Sequence, residues 1–309
     1  MDAPLIMPLR GTISAGEVEA ACPGDGRIFA CDFYVQGAEQ GTLEGGGLRI
    51  GRVLNVDHHA PITEMEREVT STMLAAEFVR QHGEDVIRDG CVVINHSDCD
   101  SILSSAIMAG ALPPDDRYVD ASVDADHTGA ANLIADVLQA LDESRRGTRT
   151  QAQYVESLDC VMRLDAGREL PVAAMHALQR HGERREAARE LVHSGRVRVE
   201  GGVAFARSDV EIDGAFFPAL LPNAQVIVLA SPNRDDPTRF TIKVRRGRAA
   251  PDGVTLHKLG ITALDANYGG RWNAGSNKRD GGTHIVPEAF ARHLREQLAR
   301  HAGTPLAAR

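Results

Sequence analysis

The stretch RVLNVDHHAP, residues 52–61, runs through apolar, β-favouring residues and then sets Asp57, His58 and His59 side by side. A buried strand that ends in one carboxylate and two imidazoles has two readings: a solvated turn, or a metal site at the rim of a parallel sheet. The neighbouring segments favour the second. GRIFACD (26–32) is another short apolar run ending in an acid, Asp32. GCVVINHSDCD (90–100) begins as a strand and ends in His96, Asp98 and Asp100. Between and after these runs the spacing predicts helices. TSTMLAAEFVRQHG (70–83) has Thr70 or Ser71 to cap it, Leu74, Phe78 and Val79 on one face, and Gly83 to end it. SILSSAIMAG (101–110) is a small-residue helix, and AANLIADVLQALDESRR (130–146) is amphipathic. Alternation of strand and helix implies an α/β fold, a parallel sheet with helices on its faces.

A chain of 309 residues is long for one core and suggests two domains. We read residues 1–148 as the metal-binding domain, 149–199 as a helical, Arg/Glu-rich connector, and 200–309 as a smaller α+β domain. The last contains strands at 201–207, 224–230 and 239–246 and a closing helix at 286–301. The net charge of −9 disfavours a surface for long nucleic acid, which is held by neutralising its phosphates. Aromatics at 4% offer no stacking platform for single strands. No apolar run is long enough to span a bilayer. Five scattered cysteines, with no CxxC pair, suit reduced thiols and a cytoplasmic location.

In a parallel α/β sheet, ligands collect beyond the carboxyl ends of the strands. The strand ends supply Asp32; Asp57, His58 and His59; and His96, Asp98 and Asp100. YVDASVDADHTG (118–129) adds a further acidic patch, in which Asp120, Asp124 and Asp126 compete for one role. Each piece alone has a plain structural explanation, as a loop, a turn or a helix cap. Their recurrence directly after apolar runs favours a joint site. So many carboxylates in one place resist ionisation unless a cation joins them. Carboxylates with imidazole suit Mn²⁺, with Mg²⁺ as the alternative, and the number of acids is enough for two ions.

These motifs resemble those of the DHH phosphoesterases. VLNVDHHAP followed by EVTSTMLAAEFV is similar to that family's Asp-His-His motif, and VINHSDCDSILSSAIMAG to its His-x-Asp-x-Asp motif. Asp32 lies where the family's strand-end aspartate would be, and DADHTG is similar to its fourth element, favouring Asp124 and Asp126. GGRWNAGSNKRDGGTHI resembles the glycine-rich substrate loop of the associated C-terminal domain. The order differs: His-x-Asp-x-Asp follows DHH here, as a circular permutation would place it.

The resemblance implies hydrolysis of a small phosphorylated substrate by water activated at two metal ions. Asp32, Asp57, His58, His96, Asp98, Asp100, Asp124 and Asp126 would be ligands. His59, with His58 and Asp57, would serve catalysis. Gly270, Arg271, Asn273, Lys278, Arg279, Gly282, Thr283 and His284 would bind substrate, clasped between the domains. A nucleotide phosphomonoester or very short oligonucleotide fits best. An inorganic pyrophosphatase and a catalytically silent nucleotide-binding regulatory protein are the alternatives, and a homodimer is compatible with either.

Overall fold

The computed structural model describes residues 4–8, 12–59, 68–145 and 150–303. The expected domain boundary at 148–149, the Ala60–Pro61 end of the opening stretch and Arg146 lie outside them. The chain divides into two compact units, one of Met1–Asp126 with Ala131–Gly182 and one of His127–Ala130 with Glu183–Arg309.

The first unit is built on a sheet of β1 (Leu5–Ile6), β2 (Ile28–Cys31), β3 (Thr42–Glu44), β4 (Gly47–Ile50), β5 (Val53–Val56) and β6 (Cys91–Ile94). Their spatial order is β1-β6-β2-β5-β4-β3. The β1, β6, β2 and β5 strands run parallel, and the β4–β3 hairpin adds an antiparallel edge. β2 and β5 are buried at every position. That is why they are almost wholly apolar, Asn55 being the exception: both faces of a parallel sheet are covered. One face packs Phe29, Leu54 and Ile94 against α2 (Ser71–His82) and α3 (Cys99–Met108). The other packs Ile28, Ala30, Val53 and Val93 against Val18 of a preceding helix, α1 (Ala15–Ala21).

The helices α4 (Asp116–Val123), α5 (Leu133–Ser144) and α6 (Gln151–Asp165) complete the unit. Although α6 falls in the segment expected to be a solvated connector, it buries Tyr154, Ser157, Cys160 and Val161 along one face. Tyr154 and Val161 join the core of the first unit. The long α7 (Val172–His193) then carries the chain into the second unit.

The second unit contains β7 (Val197–Glu200), β8 (Val203–Arg207), β9 (Val226–Pro232), β10 (Phe240–Arg246), β11 (Gly269–Gly270) and β12 (Ala274–Ser276), in the order β11-β12-β10-β9-β8-β7. Only β8 and β9 pair in parallel within this sheet. One face is covered by α8 (Pro287–Gly303) through Phe290, Leu294 and Leu298. The mixed sheet agrees with the α+β reading of this half. No helix among the described residues is long and apolar enough to cross a membrane.

The cysteines depart from the all-thiol expectation. Cys22, just after α1, is bonded to Cys91 at the start of β6, with Cα atoms 6.3 Å apart. Nothing local signals this, because the partners are 69 residues apart in sequence. Cys31, Cys99 and Cys160 are free and buried. Protein unfolded without reductant should therefore expose three thiols to a colorimetric reagent, and five after reduction; five without reductant would show that the bond does not form.

Candidate metal centre

The three motif-bearing strands β6, β2 and β5 are immediate neighbours and run parallel. Their carboxyl ends therefore open on one edge of the sheet, whatever their order along the chain. Asp32 follows β2, Asp57 to His59 follow β5, and His96 to Asp100 follow β6. Among the described residues, three groups bring ligand atoms within 4.8 Å of one another: Asp32, His58 and His59; Asp32, His96 and Asp98; and His58, Asp100 and Asp126.

Asp32 belongs to two of these groups. Its Oδ1 lies 3.5 Å from His58 Nε2 and 3.7 Å from His59 Nδ1. Its Oδ2 lies 3.0 Å from His96 Nε2. The helix starts hold it in place: the Ser71 hydroxyl donates to Oδ1 at 3.0 Å and the Ser101 hydroxyl to Oδ2 at 2.7 Å. These two serines are site residues that sequence reasoning took only as helix starts. Asp100 accepts the backbone N–H groups of Ser71 (2.7 Å) and Thr72 (2.8 Å) and the Thr72 hydroxyl (2.6 Å). The first turn of α2 thus gives its otherwise orphan donors to a carboxylate, which the helix dipole also favours.

Asp98 does two things at once. It caps α3 by accepting from Ser101 N at 3.0 Å, while its Oδ2 faces His96 Nε2 at 3.2 Å. His96 Nδ1 bonds Asn95 Oδ1 at 2.6 Å, which fixes the ring and leaves Nε2 for the site. Asp57 Oδ1 bonds His59 Nδ1 at 2.7 Å. Asp57 Oδ2 is buried and has no hydrogen-bond partner among the described residues.

The three acids of the patch take different places. After α4 the chain makes a π-helical turn, Asp124–Thr128. This wide turn places Asp126 Oδ2 at 3.3 Å from His58 Nε2. Asp124 joins none of the three groups. It accepts instead from Asn132, the N-cap of α5, at 3.1 Å. Asp120 is exposed on α4.

Asp32, Asp57 and Asp100 are at most 1% exposed, so their charges meet little water. Burial pushes Asp32 upward, but the charge of His96 and bonds to His58 and His96 outweigh it and hold the carboxyl well below its usual range. Burial and the charge of Asp32 push Asp100 well above it. Burial opposes charging the imidazoles, yet Asp126 and Asp32 raise His58, Asp57 raises His59, and Asp98 and Asp32 raise His96. These shifts describe carboxylates that need positive partners. Oxygen and imidazole donors, with a buried carboxylate oxygen that meets no donor among the described residues, fit hard divalent ions such as Mn²⁺ or Mg²⁺.

The expected substrate residues sit in the second unit. Gly270 and Gly282 serve close backbone approach: a Cβ on Gly270 would meet Gly275 Cα at 2.2 Å, and one on Gly282 would meet the Phe240 carbonyl at 2.7 Å. Thr283 bridges to Phe240 in the same edge. Asn273 is buried against His127, Nδ2 to Nδ1 at 2.9 Å. Trp272 is half-buried, with the His127 ring 5.9 Å away and the Arg246 guanidinium 5.6 Å from its centroid. Arg279 is exposed, and Arg239 donates to His284 Nε2 at 3.2 Å. Arg271 donates its backbone N–H to Ala274. Lys278 is engaged by Glu211, at 2.7 and 2.8 Å.

No protein-family model matches the chain, and none of the curated proteins matches it. Among solved structures, the pGpG-specific phosphodiesterase PggH from Vibrio cholerae aligns at 11% identity and a TM-score of 0.47, over 82% of this chain and 81% of that one. An exopolyphosphatase-related protein from Bacteroides fragilis aligns at 12% and 0.35, over 73% and 68%. An uncharacterized protein from Helicobacter pylori G27 aligns at 8% and 0.23, over 88% and 99%. At these scores the likeness does not extend to chemistry, and the reading of the site rests on this chain's own residues.

Glu211 gives a pH test of the second unit. Burial pushes its carboxyl up, but bonds from Lys243 and Lys278 bring it from an ordinary 4.5 to about 2. A depressed carboxylate contributes stability above its unfolded pKa and loses it as pH falls through the folded value. Wild-type stability to urea should therefore decline between pH 4.5 and about 2 more steeply than that of Glu211→Gln. Equal slopes would mean that these ion pairs contribute nothing.

Proposed function

We propose that the chain is a metal-dependent phosphoester hydrolase of the DHH type. The observation that carries the reading is the meeting of Asp32, His58, His59, His96, Asp98, Asp100 and Asp126 in three overlapping groups at one sheet edge. Asp32, with one oxygen toward His58 and His59 and the other toward His96, suits a carboxylate shared between two ions. His58, Asp100 and Asp126 would hold one side, and His96 and Asp98 the other. Asp57, which joins none of the three groups, would add its buried Oδ2. When bound, the ions supply Lewis acidity, lowering the pKa of water and neutralising charge on a phosphoryl group.

The protein's own groups do the rest. The hydroxyls of Ser71 and Ser101 and the first turn of α2 keep Asp32 and Asp100 from swinging away. Asp57 fixes the ring of His59 through Nδ1. Nε2 is the nitrogen that this reading assigns to pass a proton to a departing oxygen, and the side chain is 27% exposed. Within the second unit, Arg271, Arg279 and His284 are the candidates for holding phosphate, since Lys278 is committed to Glu211. An acidic chain with few aromatics suits a nucleotide phosphomonoester or very short oligonucleotide better than a long strand.

Phosphate release should be screened over nucleotides, adenosine bisphosphate, dinucleotides and pyrophosphate, with Mn²⁺, Mg²⁺ or chelator. Release from nucleotide substrates that chelator abolishes is the expected result. Release from pyrophosphate alone would make the protein a pyrophosphatase, and retained nucleotide binding without any release would make it a regulatory binder. Asp57→Ala and Asp98→Ala should each lower kcat by more than about 100-fold, beyond the usual effect of losing an outer contact. Near-normal rates in either variant with every metal would remove that residue from the site.

A further inference from the structure

Asn55 stands out in β5. The strand is buried at all four positions, Val53, Leu54, Asn55 and Val56, and Asn55 is its only polar residue. It is 1% exposed. A primary amide placed there costs stability unless its hydrogen-bonding groups are met. Here they are met by one short turn. Nδ2 donates to the carbonyls of Ala30 (3.2 Å) and Phe33 (2.8 Å), and Oδ1 accepts from the N–H of Val35 (3.0 Å).

Those three partners flank Asp32. Among the described residues Asp32 is the one non-glycine with positive φ, at 59°. A non-glycine residue in the left-handed region is strained and persists only where its surroundings over-determine it. The Asp32 N–H donates to the Val56 carbonyl at 3.0 Å, so the backbone of β5 holds the turn at its centre. The Asn55 side chain holds it before and after that point. The turn leaves the ladder between β2 and β5 at Cys31, and the amide replaces the bonds that a continuing strand would have made.

We propose that Asn55 is a positioning residue for the metal centre. Its amide locks the Ala30–Val35 turn so that the two oxygens of Asp32 face separate imidazole groups. The inference rests on the metal-dependent reading above. Fold alone does not ask for the amide, since Val and Leu fill the neighbouring positions of the same strand.

The test is Mn²⁺ affinity of the full chain by titration calorimetry, with thermal unfolding measured alongside. Asn55→Ala and Asn55→Leu should remain folded and bind Mn²⁺ about 10- to 100-fold more weakly, the range for loss of an outer contact. Asn55→Asp should do no better, because it keeps an acceptor for Val35 but sets a carboxylate against two carbonyls. Val161→Ala, a cavity variant in the core far along the sequence, controls for lost stability and should keep wild-type affinity. Asn55 variants with lowered Tm and unchanged Mn²⁺ affinity would overturn the inference alone. A wild-type protein that binds no Mn²⁺ would overturn the metal reading and the inference together.

Discussion

Like charges in a confined space are the constraint on which this structure turns. Asp32, Asp98, Asp100 and Asp126 gather beside three imidazoles at one edge of a buried sheet, Asp57 bonds one of those imidazoles, and Asp32, Asp57 and Asp100 see almost no water. Folding alone gains nothing from such a gathering, since each added carboxylate raises the cost of ionising the next. Two features offset the cost. Raised imidazole pKa values supply positive partners, and helix starts supply backbone and hydroxyl donors. A divalent cation would supply more than either.

The architecture delivers these groups economically. Parallel strands end on the same edge, so a residue placed just after β2, β5 or β6 arrives at the site by topology alone. The helices that follow β5 and β6 start there as well, and their first turns serve as anion holders. Asp98 and Asp100 illustrate the overlap of duties: one caps α3 while facing His96, and the other is bound by the start of α2. In HSDCDS the same residues form a turn with a helix cap and carry candidate ligand atoms.

Much of this was legible in the residues. Asp32, Asp57, Asp98 and Asp100 and the neighbouring imidazoles stood out because their segments follow apolar runs, and the order of those segments along the chain does not matter to their meeting because β6, β2 and β5 are neighbours in space. Other parts carried no local signal. Ser71 and Ser101 looked like ordinary helix starts, and their second role depends on Asp32 arriving from far along the chain. Asp124 and Asp126 could not be separated until the π-helical turn sent one to His58 and the other to Asn132. The β4–β3 hairpin is an edge with exposed and half-buried positions, so it lacks the apolar run that marked the central strands. The middle segment reads as an Arg/Glu-rich connector, and α6 carries its buried stripe of Tyr154, Ser157, Cys160 and Val161 between polar residues.

Crystals grown with Mn²⁺ and measured for anomalous scattering test the central claim most directly. The account predicts two peaks about 3.5–4 Å apart, with Asp32 between them, His58, Asp100 and Asp126 around one, and His96 and Asp98 around the other. A map with no ion among these residues, or with Asp32 turned away from both histidine groups, would contradict it.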